Sequence, residues 1–525
     1  MSTRNLIRQT LRRSHHQHHH HHQPHRLQYA THSAVAATAK SALSSPSPPP
    51  PNLMIYDRLA ESVKSKLKRL DEPDPRFRRY ASPDPTPSDH TQILQFPETR
   101  ITTLPNGLRV ATQSNLAAKS AAVGIWVDAG SRFDPEEKSG VAHFLEQLVL
   151  KAENEEVENI GAQLDGFATR ETTGYSALVS GQNVGKGVEV LGHILQNLDF
   201  NEGKVDKIRN AILKERDQTN AEGDLVIFDQ LHATAFQYTP LGRPIVGPVN
   251  DTKLISKADI QEYFSSHYAA HRMVVSASGA VKHEEVVEQV KKAFTKLSAN
   301  PTTTSQLVAS DPANFTGSEV RIIDDDLPLA QFAVAFEGAS VTDPDSVTLM
   351  VMQTMLGSWS KKDGAGKHVG SQLVQMAAIN EIAESIRTFS LNYKETGLFG
   401  VYALAKPDCL DDLSYAIMHE ISKLSYRVRE DDVIRARNQL KSSLIRRCYG
   451  ISGVADDIGQ QLLTYGRRIP FAELFARIDA VDASAVKHAA DRFVFDKDIA
   501  IAAMGPIKGL PDYNWFRRRT YWLRY

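Results

Sequence analysis

One stretch of this sequence, His143-Phe144-Leu145-Glu146-Gln147, has residue types and a spacing that could do chemistry. Positions 143 and 147 lie one turn apart on a helix and project from one face. A His at each would give two zinc ligands with Glu146 beside them as general base, the inverted zinc motif His-x-x-Glu-His. Here Gln147 stands at the second ligand position, and its neutral amide oxygen is a poorer zinc partner than imidazole. A third ligand must come from another helix. Glu215, near the end of the helical run Val205 to Thr219, is the candidate. A catalytic zinc takes three protein ligands and keeps one position open for water; His143 and Glu215 supply two. On pattern alone, a single His-x-x-Glu on an apolar helix is more often structural.

The elements that must hold these residues read as one α+β unit written twice. Leu104-Pro105-Asn106-Gly107-Leu108 puts a tight turn between two strand-like runs. Val123, Ile125 and Val127 alternate with their neighbours in a strand over Ala121–Ala129. Asp134-Pro135 and a helix from about Ser139 follow. In the second half Gln331 to Phe336 is a strand, followed by Asp343-Pro344 and an apolar helix through Val347, Met350, Val351 and Met355. A second anchor agrees: helix Ile260–Tyr268 with strand Met273–Gly279, against helix Val486–Phe495 with strand Ile499–Gly505. Such repetition predicts two similar domains of mixed sheet packed with helices, over 96–305 and 318–525. Residues 306–317 join them, and the Thr- and Ser-rich run Asn300 to Ser310 marks the junction.

The first eighty residues read as an address. No acidic residue precedes Asp57, and Arg4, Arg8 and Arg12 share one helix face. An Arg-rich, Ser-rich, acid-free amphipathic start is the signature of an organellar transit peptide. The histidine-rich run His15 to His22 reads as low complexity within it. Ser44 to Pro51 is an extended linker. Arg78-Arg79-Tyr80-Ala81 is similar to a plant mitochondrial cleavage point between Tyr80 and Ala81, leaving 81–95 as a mobile arm.

Composition excludes several function classes. The 525 residues carry 61 Lys+Arg against 62 Asp+Glu, a net charge of −1, so a general nucleic-acid binder is not expected. Two cysteines, Cys409 and Cys448, make neither a disulfide framework nor a four-cysteine zinc site. No apolar run is long enough to span a membrane. Gly364-Ala365-Gly366-Lys367-His368 lacks the spacing of a phosphate loop and reads as a flexible loop. Arg517 to Arg519 read as a solvated basic tail, with acidic lipid or a partner as the alternative. Glu153, Glu155, Glu156 and Glu158 are either an acidic wall for basic peptides or a solvated helix face.

Longer stretches carry a family resemblance. They are Thr103 to Thr112, Asp128-Ala129-Gly130-Ser131-Arg132-Phe133, Ala142 to Glu146, Thr169-Arg170-Glu171, Leu231 to Phe236, and Phe516 to Trp522. Through them the chain resembles the pitrilysin-type metallopeptidases, on the branch that holds the mitochondrial presequence-processing enzymes and the large core subunits of ubiquinol–cytochrome c reductase (complex III). The resemblance implies two homologous α+β domains in a half-clam. It implies an alpha-type partner subunit that closes a chamber, and zinc-dependent removal of basic presequence peptides on the matrix side of the inner mitochondrial membrane. It casts His143 as first zinc ligand, Glu146 as base and Glu215 as third ligand. Three positions depart from the family pattern. Gln147 replaces the second His, Leu148 to Glu156 is shortened, and Asp165-Gly166 replaces an Asn-Ala-like pair on the edge strand that lines the substrate. The expectation is a mainly structural, core-type subunit with an impaired zinc site; the alternative is an active zinc endopeptidase.

Overall fold

The computed structural model describes residues 97–521, apart from 116, 152–156, 158, 199, 220–222, 299 and 365. The transit segment with its Tyr80/Ala81 cleavage point, the 81–95 arm, the glutamates 153, 155, 156 and 158, and most of the shortened segment after Leu150 lie outside the described residues.

The described chain forms two six-stranded mixed sheets covered by helices, an α+β fold. The first sheet holds β1 (Thr99–Thr103), β2 (Arg109–Ser114), β3 (Ser120–Val127), β4 (Gln163–Ala168), β5 (Thr173–Ser180) and β6 (Met273–Gly279), in the order β1-β2-β6-β3-β5-β4. The second holds β7 (Ser318–Ile323), β8 (Ala330–Gly338), β9 (Ser358–Ser360), β10 (Ser385–Asn392), β11 (Gly397–Ala405) and β12 (Ile499–Gly505), in the order β7-β12-β8-β11-β10-β9. Five strands match in order and direction, including the parallel pairs β2/β6 and β7/β12. The first sheet adds β1 at one edge, and the second adds β9 at the other.

Register fixes which residues correspond. Val127 faces Met273 in the first sheet and Phe336 faces Ile499 in the second. Positions 209 apart therefore match on β3 and β8, and positions 226 apart match on β6 and β12. Gly279 and Gly505 end their strands at φ 96° and 104°, a backbone that favours glycine. Turn chemistry sets the first hairpin. Gly107 takes φ 88°, and the Asn106 carboxamide accepts the Leu108 N–H at 3.1 Å.

Six helices matter here: α1 (Val141–Leu150), α2 (Glu202–Thr219), α3 (Gly223–Ala235), α4 (Ser346–Leu356), α5 (Glu430–Arg447) and α6 (Ile451–Tyr465). The pair α2–α3 recurs as α5–α6 with a constant shift of 228 residues between helix starts. Each half lends its last helix of this set to the other. α3 lies on β12 and β8 of the second sheet, and α6 lies on β3 and β6 of the first. Ile227, Leu231 and Phe236 thereby share a core with Ala333, Ala335 and Tyr402, while Ala455, Ile458 and Leu462 share one with Trp126 and Val274. Burying these apolar faces is what ties the halves together.

A polar joint adds to this exchange. The Arg132 guanidinium, almost wholly buried, donates to Glu171 at 2.8 Å and also bonds Glu395 of the β10–β11 turn. Lys394 of the same turn pairs with Asp128 at 2.8 Å. His232 on α3 meets the Tyr393 hydroxyl at 2.7 Å, and burial holds its imidazole well below its ordinary pKa.

Three readings are refined. The junction carries a short helix, Thr304–Ser310, capped reciprocally by Thr303 and Gln306. The glycine loop is packed at Gly366, where a Cβ would sit 2.6 Å from Ala378 and from the Trp359 indole, and open at Gly364, where a Cβ would meet nothing. The basic C-terminal run is mostly engaged. Arg517 pairs with Asp496 and Asp498, and Arg519 stacks 3.7 Å over Trp515. Cys409 and Cys448 are both free thiols. Among the described residues, no helix is long and apolar enough to cross a membrane.

Candidate metal site

Helix α1 starts where Asp134 makes it start. The Asp134 carboxylate accepts the backbone N–H of Gly140 at 2.7 Å and of Ala142 at 2.9 Å, satisfying two first-turn donors. Burial pushes its carboxyl up to about 7, against the pull of those two donors. Gly140 takes φ 100° and leaves no room for a side chain, since a Cβ there would lie 2.5 Å from the Gly247 nitrogen. From this start Val141, Ala142, Phe144, Leu145, Leu148 and Val149 enter the core.

His143, Glu146 and Gln147 then meet at one oxygen. The His143 Nδ1 lies 3.0 Å from Glu146 Oε2, and the Gln147 amide nitrogen donates to the same Oε2 at 3.0 Å. A carboxylate oxygen can only accept here, so the His143 Nδ1 is the donor in this contact. Glu146 is 2% exposed and the His143 side chain 14%. Beneath Glu146, the Tyr175 and Tyr268 hydroxyls bond each other at 2.9 Å. Both phenols are raised above their ordinary pKa by burial first, with the Glu146 charge adding to it.

Glu215 sits on α2, which packs beside α1. Its carboxylate lies 3.9 Å from the Lys151 ammonium, and its side chain is 42% exposed. His143, Glu146 and Gln147 thus lie on one helix and Glu215 on its neighbour.

These residues do not fit a catalytic zinc. Such a site needs three protein ligands converging on one point. His143 offers one nitrogen, Gln147 turns its amide nitrogen to the carboxylate of the would-be base, and Glu215 stands by an ammonium. Among the described residues, no group of three or more His, Cys, Asp or Glu is placed to hold a metal ion. The arrangement satisfies a buried carboxylate instead, with two donors on one oxygen.

Two parts of the site gave no motif. The Tyr175–Tyr268 pair comes from a strand and a helix end 93 residues apart. Asp134 was visible as a repeat anchor, but its capping role needs the bend that returns the chain to Gly140. The second half shows what the same framework does without polar groups. Its matching positions, 209 residues on, are Met352, Met355 and Leu356 on α4, and Ser443 replaces Glu215 on α5.

The family profile described as "Insulinase (Peptidase family M16)" matches residues 109–249, and "Peptidase M16 inactive domain" matches 254–440. β6 therefore completes the first sheet from within the second match. The chain is 64% identical over 484 residues to "Probable mitochondrial-processing peptidase subunit beta, mitochondrial" of Arabidopsis thaliana, covering 91% of each. It is 39% identical over 445 residues to cytochrome b-c1 complex subunit 1 of Homo sapiens, covering 83% of this chain and 92% of that one. Among solved structures it is similar to a chain of complex III2 from Candida albicans, with TM-score 0.73 and 26% identity over 80% of this chain and 99% of that one. A protease from Helicobacter pylori shares the fold alone, with TM-score 0.69 and 19% identity over 78% of this chain and 100% of that one.

Proposed function

Because this chain belongs to the insulinase family of peptidases, as a homologue of the mitochondrial-processing peptidase beta subunits, we propose that it serves mainly as a structural, core-type subunit whose presequence-cleaving site is impaired. The observation that carries this is Gln147. It replaces a ligand and ties up the carboxylate of Glu146, so both metal binding and base catalysis lose a necessary group. Losing even a supporting contact around a metal costs roughly 10–100-fold in affinity. The parts that do not serve catalysis, two full sheets and the exchanged helices, are intact.

The proposed setting follows from the relatives. The chain acts in mitochondria, on the matrix side of the inner membrane, beside an alpha-type subunit and other subunits of complex III. Residues 1–80 act as its transit segment, with cleavage between Tyr80 and Ala81. The domains run over 96–305 and 318–525. The second reading is an active zinc endopeptidase that removes basic presequences with the alpha-type partner. It rests on His143 Nε2, Glu146 and Glu215 being held on neighbouring helices.

The test is zinc content and cleavage of a basic presequence peptide, measured on the chain co-expressed with an alpha-type subunit. The expected result is a stable heterodimer with neither zinc nor cleavage. Gln147→His is expected to raise zinc affinity by about 100-fold or more. One zinc per heterodimer with cleavage by the unchanged chain would reverse the assignment.

A further inference from the structure

The outer faces of α2 and α5 occupy matching places in the two halves, and they differ. On α5, Ile434 and Ile445 are 41% and 38% exposed, and Tyr449 just beyond the helix is 79% exposed. With the exposed Asn438 and Ser442 they recur at helical spacing, as one stripe facing away from the buried Val433, Ala436 and Leu440. The matching positions on α2, 228 residues earlier, are Asp206, Asn210 and Asp217. Charge is ordered along the α5 stripe as well. Asp431 lies at its N-terminal end and Arg446 at its C-terminal end, both exposed and, among the described residues, in no ion pair. Glu430 and Arg435 beside them already have partners, at 3.6 Å from Arg437 and 2.8 Å from Asp432.

We propose that this stripe is a docking surface for a second copy of this chain, paired antiparallel about a twofold axis. Run antiparallel, the stripe is its own complement. Ile434 of one copy meets Ile445 of the other, Asn438 meets Ser442, and Asp431 meets Arg446. A parallel partner would set like charges against each other, so the charge order selects the direction. A self-complementary patch is what a twofold interface requires. The helix dipole explains an acid at the start and a base at the end. It does not explain two exposed isoleucines on a helix whose twin has aspartates at the matching sequence positions. A helix of 18 residues is about 27 Å long. A lone helix pair is a small contact of the weak, transient class, and a Kd on the order of 10 μM is expected. The surface does not include α1, so the pairing stands or falls apart from the zinc question.

Sedimentation velocity on the full chain, from about 1 to 200 μM, tests this. A monomer–dimer equilibrium is expected. Ile434→Glu with Ile445→Glu, both on exposed positions, should weaken it by about 30-fold or more while circular dichroism stays unchanged. Asp431→Arg alone and Arg446→Asp alone should each weaken it, and mixing these two variants should restore it, because both charge pairs are then re-formed. Three results overturn the proposal: a monomer at every concentration, a dimer indifferent to the two glutamates, or a mixture no tighter than its components. Protection of the stripe by an alpha-type subunit alone, with the chain by itself monomeric, overturns it equally.

Discussion

The two halves of this protein share a strand order and differ where polar groups are buried. In the first half, α1 carries Glu146 into the core and surrounds it with His143, Gln147 and two tyrosines. In the second, α4 fills the same place with Met352, Met355 and Leu356. One framework tolerates both because each solution leaves no buried group unsatisfied. The lesson is that the polar cluster is supported by local donors, not demanded by the fold, so its chemistry can be lost while the framework stays.

The joint between the halves sharpens that contrast. Arg132 corresponds to Val341 in the second half, so the charged lock with Glu171 and Glu395 exists on one side only. Replacing Arg132 with Met leaves the buried Glu171 and the half-buried Glu395 with one cation fewer. Denaturant unfolding should show a loss of about 3–5 kcal/mol, the largest effect expected here. An unchanged midpoint would mean that the exchanged helices alone hold the halves.

The exchanged helices invert large and small. Under α6 a large Trp126 meets Gly459, where a Cβ would lie 2.2 Å from the ring. Under α3 the matching residues are the small Ala335 and the larger Leu231 of one core cluster. Gly459→Leu alone should destabilise by about 3 kcal/mol. Adding Trp126→Ala should recover part of that loss, with a coupling of about 1 kcal/mol or more in a double-mutant cycle. Plain additivity would show that the two exchanges are not packed alike.

The matching strands β4 and β10 give a smaller, pH-dependent contrast. Arg387 on β10 faces Tyr402, as Asp165 on β4 faces Ser176. Arg387 pairs with Asp224 of α3 at 3.5 Å and lies 5.0 Å over Phe228. On the other side the residue matching Phe228 is Asp456, whose carboxyl is pushed up to about 6 by burial, then by the charges of Asp165 and Asp457. A raised carboxyl stabilises fully below the unfolded pKa near 3.8 and loses that contribution as pH rises through about 6. Thermal unfolding from pH 4 to pH 8 should therefore show Asp456→Asn gaining on the unchanged chain by about 2 kcal/mol at the upper end. Asp165→Arg, which copies Arg387, should raise the melting temperature at pH 8. A flat difference between pH 4 and pH 8 would remove the acidic pair from the account.

Much of this was legible in the sequence, because strands and helices announce themselves locally. Alternation marked β3 and β8, glycines marked the ends of β6 and β12, and spacing put His143, Glu146 and Gln147 on one helix face. The repeat followed from the order of such signals. The sequence by itself also determined that Gln147 cannot act as an imidazole, since that is a property of the residue type. Other features had no local trace. That α3 and α6 cross to the opposite sheets is decided by which apolar faces remain uncovered after each half has formed, a matter of packing between distant segments. That Gln147 turns its nitrogen to Glu146, and that Tyr175 and Tyr268 bond each other within reach of its charge, was decided only by tertiary structure. A buried carboxylate must find its donors among whatever groups the fold brings within reach, and sequence separation says nothing about reach.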